Sequence, residues 1–190
     1  MKKILLGSGS PRRKELLSMM DIDFETVRLN DVEEVYPASL AVDEVPAYLS
    51  RLKAESYRDS LTADYMLITA DTVVIIGNEI LGKPKTPEDA REMLRQLSGA
   101  KHKVITGVSL TTAEEIHTFA ETTEVEFDVI PEEDITHYVE KYHPLDKAGS
   151  YGIQEWIGLT SIKKIDGCFY NVMGLPTRAL YHELKKLGAI

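Results

Sequence analysis

The sequence predicts an α/β fold: a mixed, twisted sheet with flanking helices. Three observations carry this expectation. Short apolar runs of strand character alternate with amphipathic runs of helical period, and the middle of the chain is rich in hairpin signals. The length of 190 residues suits a single domain spanning 1–190, and no repeat, low-complexity tract or clear linker interrupts it.

The elements follow in order. Ile4-Leu5-Leu6 reads as a buried strand that runs into the loop Gly7-Ser8-Gly9-Ser10. Ser10 suits a helix N-cap and Pro11 the first helical position, with Leu16, Leu17 and Met20 as the apolar set. Residues 31–46 are the least periodic and read as a mobile loop. A helix is expected from Val45 to Tyr57, with Tyr48, Leu52 and Ala54 among its apolar positions. Met66-Leu67-Ile68 reads as a second buried strand, ending at Thr69-Ala70-Asp71-Thr72. Val73–Ile76 and Glu79–Leu81 flank Gly77-Asn78, a two-residue hairpin signal.

Thr86-Pro87-Glu88-Asp89 opens the clearest helix, since Thr86 can cap and the acids favour the positive helix end. Ala90, Met93, Leu94 and Leu97 repeat at i, i+3, i+4, i+7, and Gly99 can end the run. Lys103–Thr112 and Glu115–Val129 are rich in Val, Ile, Thr and Phe and predict a long antiparallel pair. Pro131 begins a helix carrying Ile135, Tyr138, Val139 and Tyr142 on one face. Ile162–Ile165 and Phe169–Val172 predict a hairpin around Asp166-Gly167, which puts Cys168 in a strand. Pro176 starts the last helix, with Leu180, Leu184 and Leu187 aligned and Gly188 closing it.

The formal net charge is −9. A net negative field argues against non-specific nucleic-acid or acidic-membrane binding, but not against a small anion held where a few cations gather. One cysteine excludes an internal disulfide and a Cys-based zinc cluster, and favours a reducing compartment. The three apolar residues Ile4-Leu5-Leu6 are too few for a signal-peptide core, and no run approaches the ~18 apolar residues that span a bilayer. A soluble, cytoplasmic protein is therefore expected.

Three segments carry candidate chemistry. Ser8-Gly9-Ser10-Pro11-Arg12-Arg13 joins a helix start to two hydroxyls and two guanidinium groups, all phosphate donors. Adjacent arginines on a helix point ~100° apart, so at most one faces a phosphate directly. The same residues also read as a capped helix with solvated arginines. Asp71, at the end of an apolar strand, is placed to hold a divalent cation or orient water, or to cap a turn. Asp146–Gln154 contains Gly149 and Gly152, and the Gln154 amide can both donate to and accept from a base edge; as a bare segment it is also an ordinary connector. Gly77–Lys83 imitates a phosphate-binding P-loop, but Pro84 stands where the hydroxyl belongs and the segment reads as a hairpin, which excludes it. The five histidines show no paired metal spacing and read as structural or solvent-facing.

Taken together these segments resemble the Maf family of nucleotide pyrophosphatases, over nearly the whole chain. The landmarks are Ser8–Arg13, Arg51-Leu52-Lys53-Ala54, Ala70–Val74, Gly82-Lys83-Pro84, Leu97-Ser98-Gly99, Thr106-Gly107-Val108, Asp146–Gln154 and Asn171–Pro176. The resemblance implies a Maf/ITPase-like sheet with two lobes around a central cleft. It implies hydrolysis of a nucleoside triphosphate between the α and β phosphates, to the monophosphate and pyrophosphate. The loop DKAGSYGIQ looks like the branch acting on dTTP and UTP. Alternatives are a 7-methyl-GTP or non-canonical nucleotide pyrophosphatase, and a nucleotide-binding regulator of septum formation.

By the same resemblance Asp71 is the proton acceptor and, with Glu34, a ligand to a divalent metal, Mg or Mn. Lys83 joins these two as a catalytic group. Ser8, Arg12, Arg13, Lys53, Thr72 and Gln154 bind substrate, with Arg12, Thr72 and Gln154 tied to substrate choice. Glu33 is an alternative to Glu34. Gly7 replaces an expected alanine and should loosen its loop, and Glu155 stands where many members have glycine. A homodimer is also implied.

Overall fold

A computed structural model describes residues 2–30 and 32–190. β1 (Lys3–Leu6) leads through a loop to α1 (Pro11–Met19), and the chain returns as β2 (Phe24–Thr26). α2 (Val45–Arg58) precedes β3 (Tyr65–Ile76), β4 (Glu79–Leu81) and α3 (Pro87–Leu97). β5 (Lys101–Thr111), β6 (Ile116–Phe127) and α4 (Glu132–Tyr142) follow. The chain ends through α5 (Trp156–Ser161), β7 (Ile162–Asp166), α6 (Phe169–Met173) and α7 (Thr177–Lys186). The strands form a seven-stranded sheet in the order β2-β1-β3-β5-β6-β7, with β4 paired to β3. It is mixed as expected: β1 lies parallel to β2 and β3, whereas β3–β4 and β6–β7 are antiparallel.

The chain divides into two compact units, one made of Met1–Thr72, Thr106–Glu121 and Gly174–Ile190, the other of Val73–Ile105 and Thr122–Met173. In the first, Leu5, Leu61 and Leu67 are buried, with Val27, Leu29 and Tyr57 packed on them. The core of the second contains Leu94 and Leu97 of α3, Phe127 of β6, Tyr138 and Val139 of α4 and Ile157 of α5. Each such side chain contributes about 1.5–3 kcal/mol by leaving water.

Several local signals form as read. Ser10 caps α1, its side chain accepting from the Arg13 N–H, and Pro11 takes the first turn. Thr86 and Asp89 make a reciprocal capping box on α3. Gly77, at φ 58°, turns β3 into β4, so the P-loop imitation is indeed a hairpin.

Other readings need correction. Phe169–Met173 is the helix α6, not the second strand of a hairpin. Its aromatic and β-branched residues favour a strand, but tertiary hydrogen bonds coil the chain instead. Thr123 Oγ1 accepts from the Cys168 N–H (3.0 Å) and from Asn171 Nδ2 (3.0 Å), and Asn171 Nδ2 also donates to Val104 O (3.1 Å). Gly167 permits this approach: its φ is 133°, and an added Cβ would fall 2.7 Å from Thr123 Oγ1. Cys168 is therefore half-buried just before α6 and lies in no strand.

α2 buries Val45, Pro46, Leu49, Ser50 and Ala54, while Tyr48 is exposed. The helix face is set by Gly107 of β5, where a Cβ would lie 2.3 Å from Pro46 O. The segment read as loop contains a 3-10 turn, Val42–Glu44, running into α2; Asp31 lies outside the described residues. β2 and α5 were not foreseen. β2 is three residues long and exists because the edge of β1 pairs it, Ile4 opposite Phe24.

Candidate active site

The first unit gathers most of the expected residues. The loop after β1 is held at its start, where the Gly7 N–H donates to Ile68 O at 2.9 Å. A Cβ at Gly7 would stand 2.7 Å from Leu29 Cδ2. Glycine is thus matched to the Leu29 side chain, and the backbone is pinned here rather than loosened. Beyond it, the Ser10 N–H donates to Ser8 Oγ at 3.2 Å.

Arg13, near the start of α1, points its guanidinium at protein acceptors. Nε donates to Gly174 O (2.8 Å), Nη2 to Thr72 Oγ1 (3.0 Å) and Nη1 to Ser8 Oγ (3.4 Å). Burial pushes the Arg13 guanidinium below its ordinary value; the Asp71 charge opposes this, Arg12 adds to it and Glu34 resists it. An arginine stays protonated through such shifts. Thr72 Oγ1 also bonds Thr106 Oγ1 at 2.9 Å. Since Arg13 already uses the Thr72 oxygen as acceptor, the Thr72 proton is left for Thr106 or, at 3.5 Å, Gly174 O. Arg12, one position before Arg13, is half-buried.

Asp71 is not at a strand end. β3 runs unbroken from Tyr65 to Ile76, because β1 supports its first part and β4 its last. β1 stops at Leu6, opposite Ile68, so β3 continues past it and carries Asp71 beyond the end of its neighbour. Asp71 is 9% exposed, and its carboxylate is met by Lys53 of α2, with Nζ 2.6 Å from Oδ1. The same ammonium lies 3.2 Å from Glu34 Oε2. Between the neighbouring acids it is Glu34 that reaches Lys53. Two carboxylates braced on one half-buried cation are hard oxygen donors suited to Mg²⁺ or Mn²⁺, which commonly use one or two carboxylates and take other oxygens from water and phosphate. Among the described residues, no group of three or more His, Cys, Asp or Glu is arranged to hold a metal.

Lys83 and Gln154 belong to the second unit, and both are exposed. Lys83 follows β4. The loop carrying Gln154 is tied to the lysine's neighbour, the Gly149 N–H donating to Gly82 O at 3.1 Å. Gly149 is required there: its φ is 67°, and a Cβ would meet Val74 Cγ1 at 2.9 Å. Tyr151 is buried against His102 of β5, with its hydroxyl 2.6 Å from Nε2. Reasoning from sequence named Thr106 and Gly174 only within matched segments, with no role in the site, and missed the polar contacts of Tyr138. Tyr138 carried only the signal of an apolar helix face, and a backbone carbonyl carries none.

Among the described residues, no helix is long and apolar enough to cross a membrane. The model of the family described as Maf-like protein matches residues 3–187. A protein of Bacteroides thetaiotaomicron named dTTP/UTP pyrophosphatase is 55% identical over 185 residues, covering 97% of this chain and 96% of that protein. A Porphyromonas gingivalis protein of the same name is 53% identical over 188 residues, covering 98% and 94%. Among solved structures, a HAM1 protein from Coxiella burnetii is similar in fold, with TM-score 0.53 at 16% identity, covering 98% of this chain and 100% of that one. By the family match along nearly its full length and by these relatives, the chain belongs to the Maf-like protein family.

Proposed function

We propose that the chain hydrolyses dTTP and UTP to the nucleoside monophosphate and pyrophosphate. The observation that carries this reading is the Lys53-braced pair of carboxylates, Asp71 and Glu34, on the unit that also holds Ser8, Arg13 and Thr72. The names of the close relatives support the substrate class.

In this reading a water attacks the α-phosphorus in line. The bond from that phosphorus to the bridging oxygen breaks, and pyrophosphate leaves with the bonding pair. The water's proton passes to the Asp71 carboxylate. Lys53 holds Asp71 and Glu34 in place through Nζ, so neither carboxylate must reorganise as charge develops. Arg12 and Arg13 sit at the start of α1, where the helix N-terminus adds partial positive charge, and Ser8 supplies a hydroxyl to the phosphate chain. Arg13 also orders the Thr72 and Ser8 hydroxyls from behind. Lys83 neutralises the departing pyrophosphate, and Gln154 reads the pyrimidine edge. A divalent cation, Mg or Mn, would be held by Asp71 and Glu34, and when bound it neutralises charge on the phosphate oxygens.

The test is product analysis with dTTP, UTP, ITP and 7-methyl-GTP in the presence of Mg²⁺. We expect pyrophosphate rather than orthophosphate, and preference for the two pyrimidines. Asp71→Asn and Lys53→Met should each lower kcat by about a hundredfold to a thousandfold. Orthophosphate as the first product, or a preference for ITP or 7-methyl-GTP, overturns the reading.

A further inference from the structure

Gln154 sits in a turn whose two ends meet at one buried phenol. The Glu155 N–H donates to Gly152 O at 3.0 Å, closing a β-turn with Ile153 and Gln154 at its centre. Ile153 is 3% exposed, whereas Gln154 faces outward. Tyr138 of α4 is fully buried beside this turn. Its hydroxyl accepts from the Gly152 N–H at 3.0 Å and donates to Glu155 Oε2. Glu155 Oε1 in turn pairs with Lys147 Nζ at 3.1 Å, and that ammonium also meets Asp146 Oδ1 at 2.8 Å. Lys147 is 8% exposed, an unusual burial for a lysine. Gly152 allows the approach, since a Cβ there would stand 2.9 Å from Glu155 Cδ.

These contacts hold the turn's backbone at one end and its side chain at the other. We propose that Tyr138 is a positioning residue for nucleotide selection: with Glu155 and Lys147 it clamps both ends of the Gly152–Glu155 turn, and so fixes how Gln154 presents its amide to the base. The proposal rests on the reading of Gln154 as the base-reading group. A phenol suits the task because one oxygen both donates and accepts. Burial pushes the Tyr138 hydroxyl far above its ordinary value, so its proton stays available to Glu155 at all working pH values. The clasp is separate from the groups assigned above to the phosphates and the attacking water, so its loss should act on binding and selectivity rather than on turnover.

The test uses the full chain, with steady-state pyrophosphate release from dTTP, UTP and ITP. Tyr138→Phe should raise KM for dTTP and UTP by about tenfold with kcat within about twofold, and narrow the dTTP-to-ITP ratio of kcat/KM. In a Gln154→Ala background the same substitution should add nothing further. Glu155→Ala should behave like Tyr138→Phe, and Glu155→Gln, which keeps an acceptor for the phenol, should recover part of the loss. Amide hydrogen exchange should quicken at Gly152 in Tyr138→Phe while α3 stays protected, which separates a loosened turn from an unfolded chain. If Tyr138→Phe does not fold, the Glu155→Ala and Glu155→Gln pair carries the same prediction.

An unchanged KM in Tyr138→Phe beside a raised KM in Gln154→Ala removes the clasp and leaves the base-reading assignment standing. Wild-type selectivity in Gln154→Ala removes that assignment, and the proposal with it. A loss confined to kcat, equal for all three nucleotides, also overturns the clasp.

Discussion

His102 shows how one side chain couples the fold to pH. It is 2% exposed, stacked on Phe127 at 5.5 Å and bonded to the Tyr151 hydroxyl. Burial pushes its imidazole down to about 4. The unfolded chain takes up this proton near pH ~6.5, while the folded chain refuses it until near 4. The neutral ring therefore contributes stability that is fully present above pH ~6.5 and is lost as pH falls toward 4. Between pH 7 and 4.5 the loss should be about 2–3 kcal/mol. Urea denaturation at these two pH values should show a smaller difference for His102→Gln than for the parent; equal differences would assign the acid sensitivity elsewhere. Burial also raises Tyr151, so its phenol stays neutral and offers no compensating charge.

Elements are where local rules and tertiary context can be compared directly. α3 obeys the local rules: the Thr86 N–H donates to Asp89 Oδ2 (2.9 Å), and the Asp89 N–H donates to Thr86 Oγ1 (3.1 Å). Thr86→Ala should cost about 1 kcal/mol in urea denaturation, and Thr86→Ser should restore most of it. α6 disobeys them. The strand reading of Phe169–Val172 followed from residue type, but Thr123 and Asn171 coil that stretch with side-chain hydrogen bonds between residues 45 and 48 positions apart. β3 disobeys differently. Thr69-Ala70-Asp71-Thr72 reads as a strand end, yet successive partners, β1 then β4, carry the strand through it.

For the whole molecule the governing quantity is charge. A chain of net charge −9 must gather cations locally to hold a polyanionic tail. If the proposed function is right, folding and binding are linked. A non-hydrolysable dTTP analogue with Mg²⁺, at about 100 times its Kd, should stabilise the folded chain by about 2.7 kcal/mol and raise Tm by roughly 5–10 °C. Inorganic phosphate at matched ionic strength should give a much smaller shift, and Lys53→Met should lose most of the analogue's effect. Equal shifts for phosphate and analogue would mean a general anion effect rather than nucleotide recognition.

The sequence by itself determined the α/β class, the caps of α1 and α3, the β3–β4 hairpin and the identities of the chemical groups. Each is written in residues a few positions apart, where periodicity, capping and turn chemistry act. Tertiary structure decided that Lys53 braces Asp71 and Glu34 together, that Glu34 rather than Glu33 does so, and that Arg13 spends its guanidinium on Thr72, Ser8 and Gly174. It also turned Tyr138 from an apolar helix position into the hub of the Gln154 turn. Except for Arg13 with Ser8, these pairings join residues from 14 to 161 positions apart. Local periodicity and capping do not encode them, because they arise only when packing brings donors to acceptors carried by other elements.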